Sequence, residues 1–266
     1  MPIHCRISIP VLTPDEFRTL DYRIMGQAFA CQNELGRFCE EGVYETDLVA
    51  RLSADGFREA HTQAPVLVTH GDFSKTYFVD LLADGALYEL KAVSCLSGEH
   101  EAQLLNYMFL LGLRCGKLLN FGADRVEGQL VITGVTPDVR RRFTVDATRW
   151  REISPACGRL RNVMEALLAD WGAFLEVPLY LEALTHFVGG PLRVIQRVPL
   201  ARSGLALGMQ RMHVHASGVA FAVTAYTAGL PAHETNLRKL LALTPLTALQ
   251  WLNLDHATIR FITLTK

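Results

Sequence analysis

The stretch Phe78-Val79-Asp80-Leu81-Leu82-Ala83-Asp84-Gly85-Ala86-Leu87-Tyr88-Glu89-Leu90-Lys91 constrains this chain more than any other. Two apolar runs flank Asp84-Gly85, a strong signal for a short hairpin. Strands are therefore expected at about 75–82 and 86–93. Glu89 and Lys91 are two residues apart, so they leave the same face of a strand. The hairpin would bring Asp80 back alongside Glu89. Leu81, Leu82, Leu87, Leu90, Ala92 and Val93 suit an interior strand better than an edge. Two carboxylates offer the oxygen donors that Mg²⁺ takes while keeping several waters. An adjacent ammonium can orient an attacking water or neutralise charge developing on a phosphate. The competing reading is a solvated same-strand salt bridge of little energetic value.

The 266 residues suffice for one large domain or two modest ones, each with a full core. Half the residues are hydrophobic and a fifth charged, which excludes extended disorder. No apolar run reaches membrane-spanning length, and the N-terminus lacks a basic-then-apolar signal pattern. Six scattered cysteines without a C-x-x-C pair predict reduced thiols and a cytoplasmic protein. A net charge of −1 argues against a generic, tight polyanion binder. Arg140, Arg141, Arg142, Arg149, Arg151, Arg159 and Arg161 nevertheless crowd one stretch. It reads either as a solvated helix or linker face or as a phosphate-contacting patch.

Thr13-Pro14-Asp15-Glu16 starts a helix, with Thr13 as N-cap, Pro at its first position and Glu16 closing a capping box. Gly36 is its stop. A second helix is expected over 40–54, then strands at 61–70, 75–82 and 86–93, a helix at 99–113, and strands at 115–121 and 126–134. This is a compact α/β unit, assigned to residues 1–136. Residues 137–266 read as an α+β region serving as a packing or dimerisation module. Helices are expected there at 160–171, 177–187 and 235–243, with strands at 193–198, 208–216, 219–227 and 257–264.

The first half, from about Ile24 to Leu130, resembles the GxxExxY proteins of the PD-(D/E)XK nuclease superfamily. Asn33-Glu34-Leu35-Gly36-Arg37-Phe38-Cys39-Glu40-Glu41-Gly42-Val43-Tyr44-Glu45 aligns with the naming motif, its Glu on Glu41 and its Tyr on Tyr44. Phe38 stands where that motif has its glycine. Asp80 and Glu89-Leu90-Lys91-Ala92 match the superfamily's Asp and E-x-K strand. His100-Glu-Ala-Gln103-Leu-Leu-Asn106-Tyr107 is similar to its following helix, and Cys115-Gly-Lys-Leu-Leu-Asn120-Phe121-Gly122 to its next strand. Without the family, Gln103 and Tyr107 are simply four apart on one helix face, and Glu41 and Tyr44 three apart.

The resemblance implies a restriction-endonuclease-like core, a mixed sheet flanked by helices, that hydrolyses phosphodiesters with metal-activated water. It places Mg²⁺ or Mn²⁺ on Asp80, Glu89 and the Leu90 carbonyl, with Glu41 as a further metal or water ligand. Lys91 and Gln103 complete the catalytic set, Tyr44 and Tyr107 support it, and Glu34, Glu40 and Glu45 rival Glu41. The implied partner is nucleic acid, DNA ahead of RNA, with no membrane and with a homodimer left open. The alternative is a catalytically inactive nuclease-fold protein that serves as an interaction or nucleic-acid-binding module. In the second half, His213 and His215 share a strand face and are candidate transition-metal ligands, set against ordinary strand histidines.

Overall fold

A computed structural model describes residues 2–266. The chain up to Thr69, with Ser74–Pro137, forms one compact unit, and His70–Phe73 with Asp138–Lys266 forms another.

The first unit contains β1 (Ile3–Cys5), α1 (Pro14–Leu35), α2 (Glu41–Ala54), β2 (Ala60–His70), β3 (Phe73–Ala83), β4 (Ala86–Lys91), α3 (Gly98–Leu111), β5 (Cys115–Asn120) and β6 (Glu127–Ile132). Thr13 caps α1 as its sequence predicts. Glu16 N–H donates to the Thr13 hydroxyl, and the Glu16 carboxylate accepts from Thr13 N–H at 2.8 Å. Gly36 ends the helix at φ 75°, a left-handed value that favours glycine. Asp84 and Gly85 both have positive φ, the backbone of a two-residue type I′ hairpin. Asp84 also accepts the Glu59 N–H at 2.9 Å, tying the turn to the start of β2.

The six strands run in the order β1-β2-β3-β4-β5-β6. β3 and β4 pair antiparallel and β4 and β5 parallel, so α3 is the crossover that a parallel pair needs. On one face Ile24 and Cys31 of α1 and Tyr44, Leu48 and Leu52 of α2 pack against Leu81, Tyr88 and Leu90. On the other, a Cβ added at Gly116 would meet Leu104 and Met108 of α3 and Leu87 of β4. The result is a mixed sheet flanked by helices, a restriction-endonuclease-like core.

The second unit contains α4 (Pro137–Arg140), β7 (Thr144–Arg149), α5 (Pro155–Trp171), α6 (Val177–Phe187), α7 (Pro191–Val194), β8 (Ile195–Arg202), β9 (Leu205–Ala216), β10 (Val219–Thr224), α8 (Leu230–Leu243), β11 (Ala248–Asp255) and β12 (Thr258–Thr265). Its sheet has the order β7-β12-β11-β10-β9-β8, and α8 crosses between the parallel strands β10 and β11. Trp251 is the centre of this core, fully buried with Leu249, Ile262 and Leu264. Its indole N–H donates to the Thr224 hydroxyl at 2.8 Å, and that hydroxyl donates to Asn253 at 2.6 Å.

Two strands here differ from the sequence expectation. β11 falls where no strand is expected from the sequence. It is buried on both faces from Ala248 to Leu254, so its pattern is continuous instead of alternating. β7 lies inside the arginine-rich stretch and pairs with β12 at the sheet edge. Trp251→Ala removes both the ring and its hydrogen bond and is expected to cost about 3–5 kcal/mol. A urea titration followed by circular dichroism checks this. Leu192→Ala, at a fully exposed side chain, should leave the transition unmoved.

Candidate active site

β4 is buried along its whole length because helices cover both faces of the sheet. The strand alternation sends Tyr88 and Leu90 under α1 and α2. Leu87, Glu89 and Lys91 therefore face the α3 side. The hairpin adds Asp80 from β3. Its Oδ2 accepts the Leu90 N–H at 2.9 Å and lies 3.7 Å from the Lys91 ammonium. Lys91 Nζ donates to Glu89 Oε1 at 2.5 Å and stands 3.9 Å from Glu41 Oε2. Glu41, at the start of α2, also accepts the Ala92 N–H at 3.3 Å. Asp80, Glu89, Lys91 and Glu41 thus converge.

Two further residues belong to this cluster. Glu45 lies one turn after Glu41 and is buried. Gln63 Nε2 donates to both Glu45 oxygens at 3.0 Å and reaches Asp80 Oδ1 at 3.4 Å. Gln63 has φ 50° in the middle of β2. That left-handed backbone is uncommon for a side-chain-bearing residue, and such strain gathers at functional sites. A glutamine within a strand carries no motif, so the sequence offered no signal for it. Glu45 was in view as a rival of Glu41. Glu34 instead pairs with Arg51, and Glu40 is the N-cap of α2.

Asn120 fixes the chain beyond Lys91, its Oδ1 accepting from Val93 N–H and Gly122 N–H at 3.1 Å each. A Cβ at Gly122 would sit 2.5 Å from the Val93 carbonyl oxygen, so only glycine allows this approach.

The remaining candidates are placed differently. Gln103 donates to the Tyr107 hydroxyl at 3.2 Å and forms no bond to Lys91. Tyr107 is buried, and its pKa is raised by burial, with the charges of Glu89 and Asp80 adding and the Gln103 bond opposing. Tyr44 does not join the cluster. It stacks on Phe121, its hydroxyl donates to Gly36 O at 2.9 Å, and it accepts the Cys39 N–H at 3.1 Å. The tyrosine therefore clamps the α1–α2 turn that sets Glu41 in place.

Burial pushes the Glu89 carboxyl up to about 8, with the Asp80 charge adding and Lys91 opposing. Burial acts to lower Lys91, but the Glu89 hydrogen bond and the charges of Glu89, Asp80 and Glu41 outweigh it, so its pKa is raised. Burial also raises Glu45, against its Gln63 bond. Three carboxylates, Glu41, Asp80 and Glu89, share one ammonium, and Glu89 Oε2 is buried without a hydrogen-bond partner. Among the described residues, no three His, Cys, Asp or Glu side chains gather into a ready metal-ligating group. The donor chemistry is nonetheless all oxygen with an excess of negative charge, which fits a hard divalent cation.

Residues 18–131 match the family model of the PD-(D/E)XK nuclease superfamily, a span holding Glu41, Asp80, Glu89, Lys91 and Gln103. This segment is similar to the PD-(D/E)XK nuclease superfamily. No curated protein and no solved structure matches the chain. The superfamily match ends at residue 131, so the second unit lies outside it.

In that second unit the structure places the histidine pair and the arginine-rich stretch, each left with two readings by the sequence. His213 and His215 both pack against Phe221 and belong to no metal-ligating group among the described residues. Burial pulls His215 down to about 4, the Ala156 backbone opposing too weakly to restore it, so the ring is neutral. The arginine-rich stretch is not one patch. Arg140 is buried on the carbonyls of Ala173 and Trp171, Arg149 pairs with Glu234, Arg159 bonds the Phe187 carbonyl and Arg161 pairs with Glu165.

In metal-free protein, Glu89 binds its proton more tightly folded, at about 8, than at its ordinary 4.5. Stability should therefore fall as pH rises through that window. Glu45, also raised, acts in the same sense. Lys91 contributes below 10.5 and loses its contribution above it. Glu89→Gln should flatten the fall, read as urea midpoints across pH in EDTA. Tyr44→Phe should cost about 1–2 kcal/mol without changing metal affinity, read by the same titration and by Mn²⁺ calorimetry.

Proposed function

We propose that the first unit is a metal-dependent nuclease of the GxxExxY branch, hydrolysing phosphodiester bonds of nucleic acid, with DNA as the first substrate to test. The observation that carries this reading is the buried, unpartnered Glu89 Oε2 amid an excess of carboxylates around Lys91. Inside a superfamily domain, that arrangement calls for a second positive charge. Branch membership rests on Glu41 and Tyr44 at the motif positions, with Phe38 in place of the glycine.

Mg²⁺ or Mn²⁺ held by Asp80, Glu89 and the Leu90 carbonyl, with Glu41 alongside, would lower the pKa of a bound water and neutralise phosphate charge. Lys91 keeps its proton among the acids, so it serves as a donor that positions the attacking water and meets negative charge developing on the phosphate. Asp80 is held in place by the Leu90 N–H and by Gln63. Gln63 in turn holds Glu45, which keeps the second carboxylate of α2 oriented. Gln103 orders the Tyr107 hydroxyl beside Glu89 and Asp80. Burial of Glu89 excludes competing water from the oxygen that needs a cation. The retained combination of Asp80, Glu89 and Lys91 favours an enzyme over an inactive nuclease-fold module.

The test is cleavage of plasmid DNA, single-stranded DNA and RNA by purified protein with Mg²⁺ or Mn²⁺. Lys91→Ala and Glu89→Gln should each lower the rate by about 10²–10⁴-fold. Calorimetry should show Mn²⁺ binding that Asp80→Ala abolishes. No cleavage of any substrate, or cleavage equal in wild type and Lys91→Ala, sinks the proposal.

A further inference from the structure

The second unit carries an unusual distribution of charge. Residues 183–233 contain no Asp or Glu, yet hold Arg193, Arg197, Arg202 and Arg211, in a chain whose net charge is −1. Arg197, Arg202 and Arg211 lie on the hairpin of β8 and β9. Ser203 and Gly204 both have positive φ, so its turn is a tight type I′ turn. Near the sheet, Val198 and Met212 pack into the core with Leu237 and Leu240 of α8. Beyond them every residue from Ala201 to Arg211 is exposed. The two strands therefore continue into solvent for about 15 Å as a bare ribbon.

The register of that ribbon is the decisive observation. Arg197 is the direct cross-strand partner of Arg211, and both are exposed. Like charges placed opposite each other on an antiparallel pair are destabilising. No described carboxylate makes an ion pair with Arg197, Arg202 or Arg211, unlike Arg149 and Arg161. Arg211, His213, Ile195 and Glu182 of α6 line one groove of about 630 Å³. Leu205 and Met209, 59 % and 54 % exposed, stand near the tip.

We infer that the β8–β9 ribbon is an arm by which the second unit grips a nucleic-acid backbone, with Arg197, Arg202 and Arg211 meeting phosphates. The choice of polyanion rests on the nuclease reading of the first unit. A phosphate between Arg197 and Arg211 would turn their repulsion into a two-donor clamp, the geometry for which arginine is suited. A two-stranded ribbon also fits a duplex major groove, about 12 Å wide. A second copy of this chain is the poorer occupant. β8 is the edge strand, and Pro199 in its middle lacks the N–H that strand addition needs. Stacking two copies there would also bring arginines together.

The experiment is fluorescence anisotropy of the full chain in EDTA with labelled duplexes of about 20 base pairs in two unrelated sequences, titrated across salt concentrations. The variant is Arg197→Ala/Arg202→Ala/Arg211→Ala, with Arg18→Ala as a single-charge control on α1. The slope of log affinity against log salt should fall by about 2–3 in the triple variant, with affinity at least about tenfold lower for both sequences. Arg18→Ala should bind like wild type. Circular dichroism melts confirm that the triple variant is folded. An unchanged slope, or no binding by wild type at low salt, overturns the inference. So does a wild-type dimer that the triple variant breaks while still binding DNA unaltered, since the ribbon would then be a subunit contact. Ribbon-dependent binding by a protein that never cuts would leave this inference standing and remove the nuclease reading. Cleavage with no dependence on the ribbon does the reverse.

Discussion

The burial of β4 on both faces is the constraint from which the rest of the first unit follows. A strand in that position is expected to be apolar throughout, and four of its six residues are. Glu89 and Lys91 are not, and each would be costly to bury alone. They are tolerated because they reach each other at 2.5 Å and because Asp80 is anchored on the Leu90 N–H. The arrangement remains incomplete, since one Glu89 oxygen has no partner. Structure that serves only stability would replace such a cluster with well-packed apolar side chains. Under the proposed nuclease function that cost is borne for chemistry, and Gln63's left-handed backbone is a second cost at the same place.

Much of this was legible from the residues. The capping box at Thr13, the turn at Asp84-Gly85 and the two-residue spacing of Glu89 and Lys91 each follow a local rule, and local rules survive folding. What the sequence hid is what depends on distant partners. Tyr44 lies three residues from Glu41 and so shares its helix face, yet its hydroxyl serves the α1–α2 turn. Gln63 becomes part of the site only through the bend in β2. β11 lacks alternation because both its faces are covered, which makes a buried strand resemble any apolar run.

Charge shows the same contrast between local count and spatial arrangement. The densest run of arginines in the sequence is largely spent on carbonyls and carboxylates within the second unit. The sparser arginines of β8 and β9 are the ones left facing water, and cross-strand register sets two of them side by side. A near-neutral net charge thus says little about whether a protein carries a polyanion-binding element. The absence of acids along a segment is the more telling measure.

The Trp251 core has an optical consequence. Trp150, Trp171 and Trp251, the three tryptophans of the chain, all fall within the second unit. Intrinsic tryptophan emission is therefore a spectroscopic channel for that unit, while Tyr44, Tyr77, Tyr88 and Tyr107 populate the first. Selective excitation of tryptophan follows unfolding in one half of the molecule without labels, and far-ultraviolet dichroism supplies the sum of both.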